Sequence, residues 1–333
     1  MSALEEAADL VERDDTAGLA PATVLLEEVD RLLRGPPGLR CLLAGEDVAT
    51  AVAGSVERVS RLLSGLEARL DAGAVPVAPE EQEAVNSAAV ALKDLCWAVA
   101  HDRLGMASAV ADLAGGAPNE GAALRGWWAV QVALASLDRL EVRGRDSAGV
   151  HVLVSGHGVD PSDPGVAARC GDPLFGSGSV RVANGLLSFV YKAAAEIGEL
   201  GDNVRAIRAE MRSDALLARA LGSPHARVTV LGHTRWASVG IISEPNAHPL
   251  NSDEVDGGQR PYVAAALNGD IDNHADLRAA DGLQLHPEVT TDAKIIPAIV
   301  SRRMSEGMHA DDAFRETVVR FDGSVAIVAS AAA

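Results

Sequence analysis

Gly232-His233-Thr234-Arg235-Trp236-Ala237-Ser238 closes the run Ala226-Arg227-Val228-Thr229-Val230-Leu231-Gly232, whose alternating apolar residues read as a strand. An Arg beside a Trp at a strand end is poor material for a core. It is good material for gripping a carboxylate, because guanidinium offers a flat, two-pronged donor set and indole can close over what it holds. The same dipeptide would also serve as a stacked surface pair, so its meaning depends on the segments around it.

Upstream, Gly126 to Leu140 reads as an apolar helix. It runs into Glu141-Val142-Arg143-Gly144-Arg145-Asp146-Ser147-Ala148-Gly149 and then an alternating strand, Val150 to Val154. Helix, glycine turn and strand in succession mark mixed α and β structure. Residues 155 to 180 are rich in Gly, Pro and Ser and read as loops. Leu186 to Leu200 suits a short strand or a helix, and Asp202 to Leu221 suits one charged amphipathic helix. Downstream come a loop, Ser243 to Pro249, and a strand, Tyr262 to Leu267, ending in Asn268-Gly269. Then follow a helix from Asp272 to Ala279, a turn at Thr290-Thr291-Asp292, helices over Ala293 to Met304 and Asp311 to Arg320, and a strand from Phe321 to Ser330.

Residues 1–121 have a different character and read as helix after helix. Ser2 to Glu5 fits a capping box. A helix over Thr23 to Arg34 is stopped by Gly35-Pro36-Pro37-Gly38. Val52, Val56, Val59, Leu63, Leu66 and Leu70 form an a/d seam of the kind that packs antiparallel helices. Gly73 to Pro79 is a linker, and Glu80 to Leu104 is helical again, with Val85, Ala89, Leu92, Cys96 and Val99 along one face. His101 is expected in solvent and Trp97 in the core. No chemistry is apparent here, and a role in packing or association is expected.

Bulk properties narrow the field. The chain has 333 residues, 48% apolar and 23% charged, which suits about two globular domains. Its formal net charge of -18 argues against nucleic acid or an anionic membrane as partner. No run is long and apolar enough to span a membrane, and the acidic start lacks the basic region of a signal peptide. Cys41, Cys96 and Cys170 are too few and scattered for a disulfide framework or zinc site, so a reducing cytoplasm is expected, with no metal and no cofactor.

Five segments together resemble the glutaminase domain of class II, N-terminal-nucleophile, glutamine amidotransferases, nearest to the glucosamine-6-phosphate synthase type. They are Leu140 to Gly149, Gly232 to Ser238, Ser243 to Pro249, Leu267-Asn268-Gly269-Asp270-Ile271-Asp272-Asn273 and Thr290-Thr291-Asp292-Ala293-Lys294, in the family's order. The resemblance covers residues 122–333. It implies an α/β (α+β) fold, a four-layer αββα sandwich of antiparallel sheets, preceded by the all-α region, which would be an insertion. It also implies glutamine as substrate, ammonia passed to a sugar phosphate on a synthase domain outside this sequence, and a possible homo-oligomer.

By the same resemblance, Arg235 would bind the substrate α-carboxylate and Asp292 its α-ammonium, a zwitterion clamp that rejects most other amides. Asn268, through its side-chain amide, and Gly269, through its N–H, would form the oxyanion hole. Trp236 and Ser238 would lie on the loop that closes over glutamine, and Arg143 would sit near the nucleophile. Each has an ordinary counterpart. Asn268-Gly269 suits a tight turn, Asp292 suits a helix cap, and Arg143 and Arg145 suit surface pairs with Glu141 and Asp146.

The pattern departs from the family in its nucleophile, a cysteine at residue 1 followed by Gly and activated by its own α-amine. This chain begins Met1-Ser2, and Cys170-Gly171 falls after the Arg143 segment rather than before it. Two expectations follow: the nucleophile strand precedes Met1 in a longer chain, or the domain binds glutamine without hydrolysing it. Val239 replaces a usual His, and Ser238 a usual Thr.

Overall fold

Helices alone make up the first of two units, Met1–Ala117, while helices and antiparallel strands share the second, Pro118–Ala333. The computed structural model describes residues 1–118, 121–194, 199–255 and 257–332.

In the first unit, α1 (Ser2–Leu33) is kinked at Asp15 (φ 48°, ψ -123°), and the turn is so sharp that a Cβ on Gly18 would lie 2.1 Å from the Leu10 carbonyl oxygen. Ser2 lies inside this helix behind Met1, and no side chain caps the start, so the expected capping box does not form. The Gly-Pro-Pro-Gly segment ends α1 but also begins α2 (Gly35–Leu43), because prolines in a first turn lose no helical hydrogen bond. On α3 (Glu46–Asp71) the seam residues Val52, Val56, Val59, Leu63 and Leu66 are buried. α4 (Gln82–Trp97) passes through a π-helical stretch, Ala98–Leu104, into α5 (Gly105–Ala114), burying Ala89, Leu92, Cys96 and Val99. Trp97 is not core: it is 54% exposed and stacks on His101 with ring centroids 4.8 Å apart. It follows Cys96 by one residue, about 100° around the helix and off the buried face.

The second unit begins with α6 (Gly121–Leu140) and β1 (Ser147–Ser155), then α7 (Pro164–Ala167), β2 (Val180–Ala183) and β3 (Leu186–Ala193). The Leu186 segment is thus a strand as far as Ala193, and residues 195–198 lie outside the described residues. The helix expected over Asp202 to Leu221 is two, α8 (Asp202–Ser213) and α9 (Ala215–Leu221). The break is Asp214, whose carboxylate accepts from Leu216 N at 2.9 Å and Leu217 N at 3.0 Å and pairs with Arg169. That is N-cap chemistry, which a helix interior does not offer.

The remaining elements are β4 (Arg227–Arg235), β5 (Leu250–Asn251), β6 (Tyr262–Ile271), α10 (His274–Ala280), α11 (Ile295–Ser305), α12 (Ala310–Val318) and β7 (Gly323–Ala332). Strands pair antiparallel in the orders β2-β3-β1-β4 and β5-β6-β7.

Alternation decides what each face carries. In the first sheet Val150, Val152 and Val154 stand in rows with Gly232, Val230 and Val228 of β4 and with Tyr191, Phe189 and Leu187 of β3. This face meets α6: a Cβ on Gly126 would be 3.1 Å from Val228 Cγ2, and one on Gly232 3.3 Å from Leu137. The opposite face carries Ser147, Gly149, His151 and Leu153 with Lys192, Val190, Leu231, His233 and Arg235. It meets the β6 face of Tyr262 and Ala264 through a core of Leu153, Phe175, Val190, Tyr262, Ala264 and Ala332. Asn268 shares that β6 face by the same alternation. The other face of β6, with Ala265 and Leu267, packs on Ile295, Ile296 and Ile299 of α11. β7 forms the far edge of the second sheet with no charged residue along it, and its Val328 is 51% exposed.

A buried polar triangle ties sheet to sheet. Ser188 Oγ lies 2.5 Å from His151 Nε2 and 2.6 Å from the Tyr262 hydroxyl, which is 3.1 Å from the same His151 nitrogen. Removing one member strands the others without water. Tyr262→Phe is therefore expected to destabilise the chain by about 1–3 kcal/mol in urea unfolding followed by circular dichroism. A loss under about 0.5 kcal/mol, within the range of an ordinary surface change, would show that the triangle does not hold the sheets.

Candidate functional site

Arg235 is the last residue of β4 and only 3% exposed. Its guanidinium donates to the carbonyl oxygens of Ile241, at 3.2 Å, and Val239, both on the loop that follows. Because the Val239 contact uses the backbone, it does not depend on which side chain stands at 239. Burial lowers the Arg235 pKa, and Asp292 and Asp146 oppose that shift. Asp146 also fixes the strand end: its N–H donates to Arg235 O at 3.2 Å, and its carboxylate accepts from Ala237 N at 2.8 Å. Asp146 is thus occupied by backbone, and Arg143 is exposed; the surface pairing of Arg143 and Arg145 with Glu141 and Asp146 does not occur among the described residues.

The loop turns at Gly240 (φ +85°), where a Cβ would lie 2.8 Å from Thr290 Oγ1 and 2.9 Å from Thr291 N. Ile241 N donates to Thr290 Oγ1 at 3.2 Å, and Ser238 Oγ donates to Asp270 of β6. Trp236, 74% exposed, stands at the loop's start.

Asn268 and Gly269 are no turn: β6 runs through them, pairing them with Ala326 and Val325. Gly269 has φ +125°, and a Cβ there would fall 1.8 Å from Ser324 O, so only glycine fits. The Asn268 amide makes no hydrogen bond among the described residues and lies exposed. Asp292 does not cap a helix. Its Oδ2 accepts from Ile271 N at 2.7 Å, binding the start of α11 to β6.

These elements surround one cavity of about 490 Å³. Arg143, Arg235, Trp236, Ser238, Asn268, Gly269 and Asp292, all singled out in the sequence, line it together. None of Cys41, Cys96 and Cys170 does; Cys170 lines a different cavity.

Three residues that sequence reasoning passed over complete the site. Asn246, fully buried, accepts from Thr290 N at 2.7 Å and Thr291 N at 2.9 Å while donating to Ser243 Oγ and Glu288 O, so one amide locks the Thr290–Asp292 segment. His233 and His248 line the cavity with ring centroids 4.7 Å apart. Burial, then the Arg235 charge, pushes His233 down to about 4; burial, then His233 and Arg235, holds His248 well below the ordinary histidine value. Both are neutral beside the guanidinium. All three residues stand inside quoted segments, but nothing in residue order showed that they were buried.

His151, pushed to about 3 by burial and then Lys192, belongs with His233 and His248: all three take up a proton far more readily once unfolded. Their contribution to stability is complete above about pH 6.5 and falls as pH drops toward 4, by up to about 1.4 kcal/mol per pH unit for each. Unfolding free energies measured at steps from pH 7 to 4.5 should decline steeply, and a flat profile would contradict the neutral, buried histidines.

Among the described residues no group of three His, Cys, Asp or Glu is placed to hold a metal ion, and no helix is long and apolar enough to cross a membrane.

No family model matches the chain. Curated proteins do. Glutamine–fructose-6-phosphate aminotransferase (isomerizing) of Caulobacter vibrioides is 32% identical over 138 residues, 41% of this chain and 22% of that protein. The protein of the same name from Sulfolobus acidocaldarius is 39% identical over 102 residues, 30% of this chain and 16% of that protein. That from Bacillus thuringiensis subsp. konkukian is 28% identical over 200 residues, 60% of this chain and 24% of that protein. A solved structure described as the allosteric regulatory enzyme of purine biosynthesis is 15% identical, with a TM-score of 0.32, over 55% of this chain and 35% of that one. The chain is similar to the glutaminase part of class II glutamine amidotransferases. More particularly it resembles glutamine–fructose-6-phosphate aminotransferase, though it spans about a quarter or less of the length of these relatives.

Proposed function

We propose that this chain carries the glutamine-binding, oxyanion-stabilising part of a glutamine amidotransferase that releases ammonia for transfer to a sugar phosphate. The observation that supports this reading is the convergence of the seven residues named above on one cavity. Residues 122–333 are taken as a four-layer αββα sandwich, with 1–121 inserted before the α6 helix. A cytoplasmic homo-oligomer with the acceptor bound elsewhere in a longer chain fits the same reading.

Two of the five guanidinium N–H groups of Arg235 hold its own loop. The others are free to take the substrate α-carboxylate, and Asp292 Oδ1 the α-ammonium. With the amino acid held at both charges, the side-chain amide is set before Asn268 Nδ2 and Gly269 N–H. Those donors receive the oxygen that becomes negative as a thiolate adds to the amide carbon. The nitrogen takes up the proton the thiol gave up, and collapse breaks the carbon–nitrogen bond and releases ammonia. Water then hydrolyses the thioester to glutamate and restores the thiol. The Trp236 loop, latched by Ser238 to Asp270, excludes water from that step. Arg143, exposed at the rim, would face the nucleophile. The thiolate would come from a cysteine on a strand outside this sequence. A second reading, glutamine binding without hydrolysis, is favoured for the isolated chain by the fact that none of its three cysteines lines the cavity.

Calorimetric titration with glutamine tests the site. Saturable binding is expected, weakened about 30-fold or more in Arg235→Ala, since truncating one side of a buried charge pair costs at least about 2 kcal/mol. No binding by the parent chain would sink both readings. Glutamate release separates them. If the chain or a longer form of it hydrolyses glutamine, Asn268→Ala should lower kcat by about 100- to 1000-fold. If only binding is seen in every form, the second reading stands.

A further inference from the structure

A second, larger cavity, about 950 Å³, opens in the same unit and shares no lining residue with the first. Its wall includes Lys294, Arg181, Phe175 and Tyr262, together with the carboxylates of Asp172, Asp253 and Glu254. The three carboxylates and the cations Arg181, Arg260 and Lys294 balance in number along the wall, so what matters is which of them are paired with each other.

Lys294 is 5% exposed, and its ammonium donates to Asn251 O at 2.6 Å and Asn251 Oδ1 at 3.0 Å. Both acceptors belong to a neutral residue, and the third donor has no partner among the described residues. The nearest carboxylates are engaged elsewhere: Asp253 takes Arg181 at 2.6 Å and Asn251, and Glu254 takes Arg302 at 2.6 Å and Arg260 at 3.5 Å. Behind the wall Lys192 is 2% exposed, and its Nζ has no hydrogen-bond partner among the described residues. Lys192 and Arg181 both approach the Phe175 ring, at 5.2 Å and 5.3 Å from its centroid. Phe175 itself has φ +53°, a strained value for a bulky residue, kept in the loop that Asp172 ties by accepting from Leu174 N and Gly176 N. Neither buried ammonium group makes a contact ion pair with a carboxylate among the described residues, although Glu244 and Asp172 act on Lys192 and Asp253 and Glu254 on Lys294 from farther off. A buried charge without a contact partner favours an incoming anion.

We infer that this cavity is an anion-binding site that takes a small phosphorylated molecule, its phosphate on Lys294 and its body in the space toward Leu174, Leu250 and Val289. A compact ammonium is a common phosphate ligand, and the volume lies near the upper end of small-molecule sites, well beyond what an inorganic ion fills. Lys192, facing Lys294, Glu244, Asp172 and His248, adds field without contact. Burial lowers Lys192 to about 7 and Lys294 to about 8, the latter opposed by Asp253 and Glu254 and reinforced by Arg181. A bound anion would draw protons back onto both.

Titration of the whole 333-residue chain with inorganic phosphate and with pyrophosphate, at constant ionic strength and pH 8, tests this. One saturable site is expected, with proton uptake seen as alkalinisation of a weakly buffered solution. Lys294→Gln, which keeps a donor for Asn251 but not the charge, should weaken binding tenfold or more, whereas Arg227→Gln, at an exposed cation outside both cavities, should not affect it. Proton uptake by the parent chain provides a reading that requires no variant. Absence of saturable binding by either anion, binding without proton uptake, or binding equal in Lys294→Gln would each overturn the proposal. Because glutamine is absent throughout, the result does not depend on the role of the first cavity.

Discussion

A guanidinium buried at the end of a strand is the constraint on which the second unit turns. Arg235 gives up its hydration, and the loss shows in its lowered pKa. Everything around it serves to make that burial tolerable. Two loop carbonyls accept from it, Asp146 ties the strand end from the side, and Asp292 supplies negative charge from the start of α11. The histidines beside it stay neutral for the same reason. The loop's path over the cavity follows from these bonds, and so does its glycine at 240, where only a residue without Cβ clears Thr290 and Thr291.

Placement of the site also rests on strand parity. Arg235 is two residues beyond His233 and four beyond Leu231, on the face of β4 turned to the second sheet; Asn268 is an even number of residues from Tyr262 on the face turned to the first. A slip of one residue in either ladder would send one of them into the helices. This explains how positions 143, 235, 268 and 292 meet: the ladders bring them together, with Asn246 acting as a fastener from a loop and Asp270 from β6 itself.

Much of this was legible in residue order, because the chemistry is local to short segments. Arg235-Trp236 after an alternating strand, Asn268-Gly269, and Thr291-Asp292 before a helix each carry their meaning within a few residues. What escaped depended on distant partners. Asp214 looks like one more charged residue in an amphipathic helix until Arg169 and Tyr191 are seen to hold its carboxylate. Trp97 looks like core by type, yet its angular position puts it in solvent. Lys192 and Lys294 look like ordinary strand-end and helix-start lysines, and only the stacking of the sheets reveals them as buried. The strand expected to stop at Leu267 runs on to Ile271, because pairing of Asn268 and Gly269 with Ala326 and Val325 outweighs the turn propensity of the dipeptide.

The far edge of the second sheet has a bearing on handling the isolated chain. From Gly323 to Ala332, β7 carries no charge, no proline and no bulge, and its outer row of amides and carbonyls faces no further strand among the described residues. Proteins commonly guard such an edge with lysines or irregularity. Left bare, it is a template for a neighbouring molecule's identical strand, and concentration rather than temperature would then set the shelf life of the preparation.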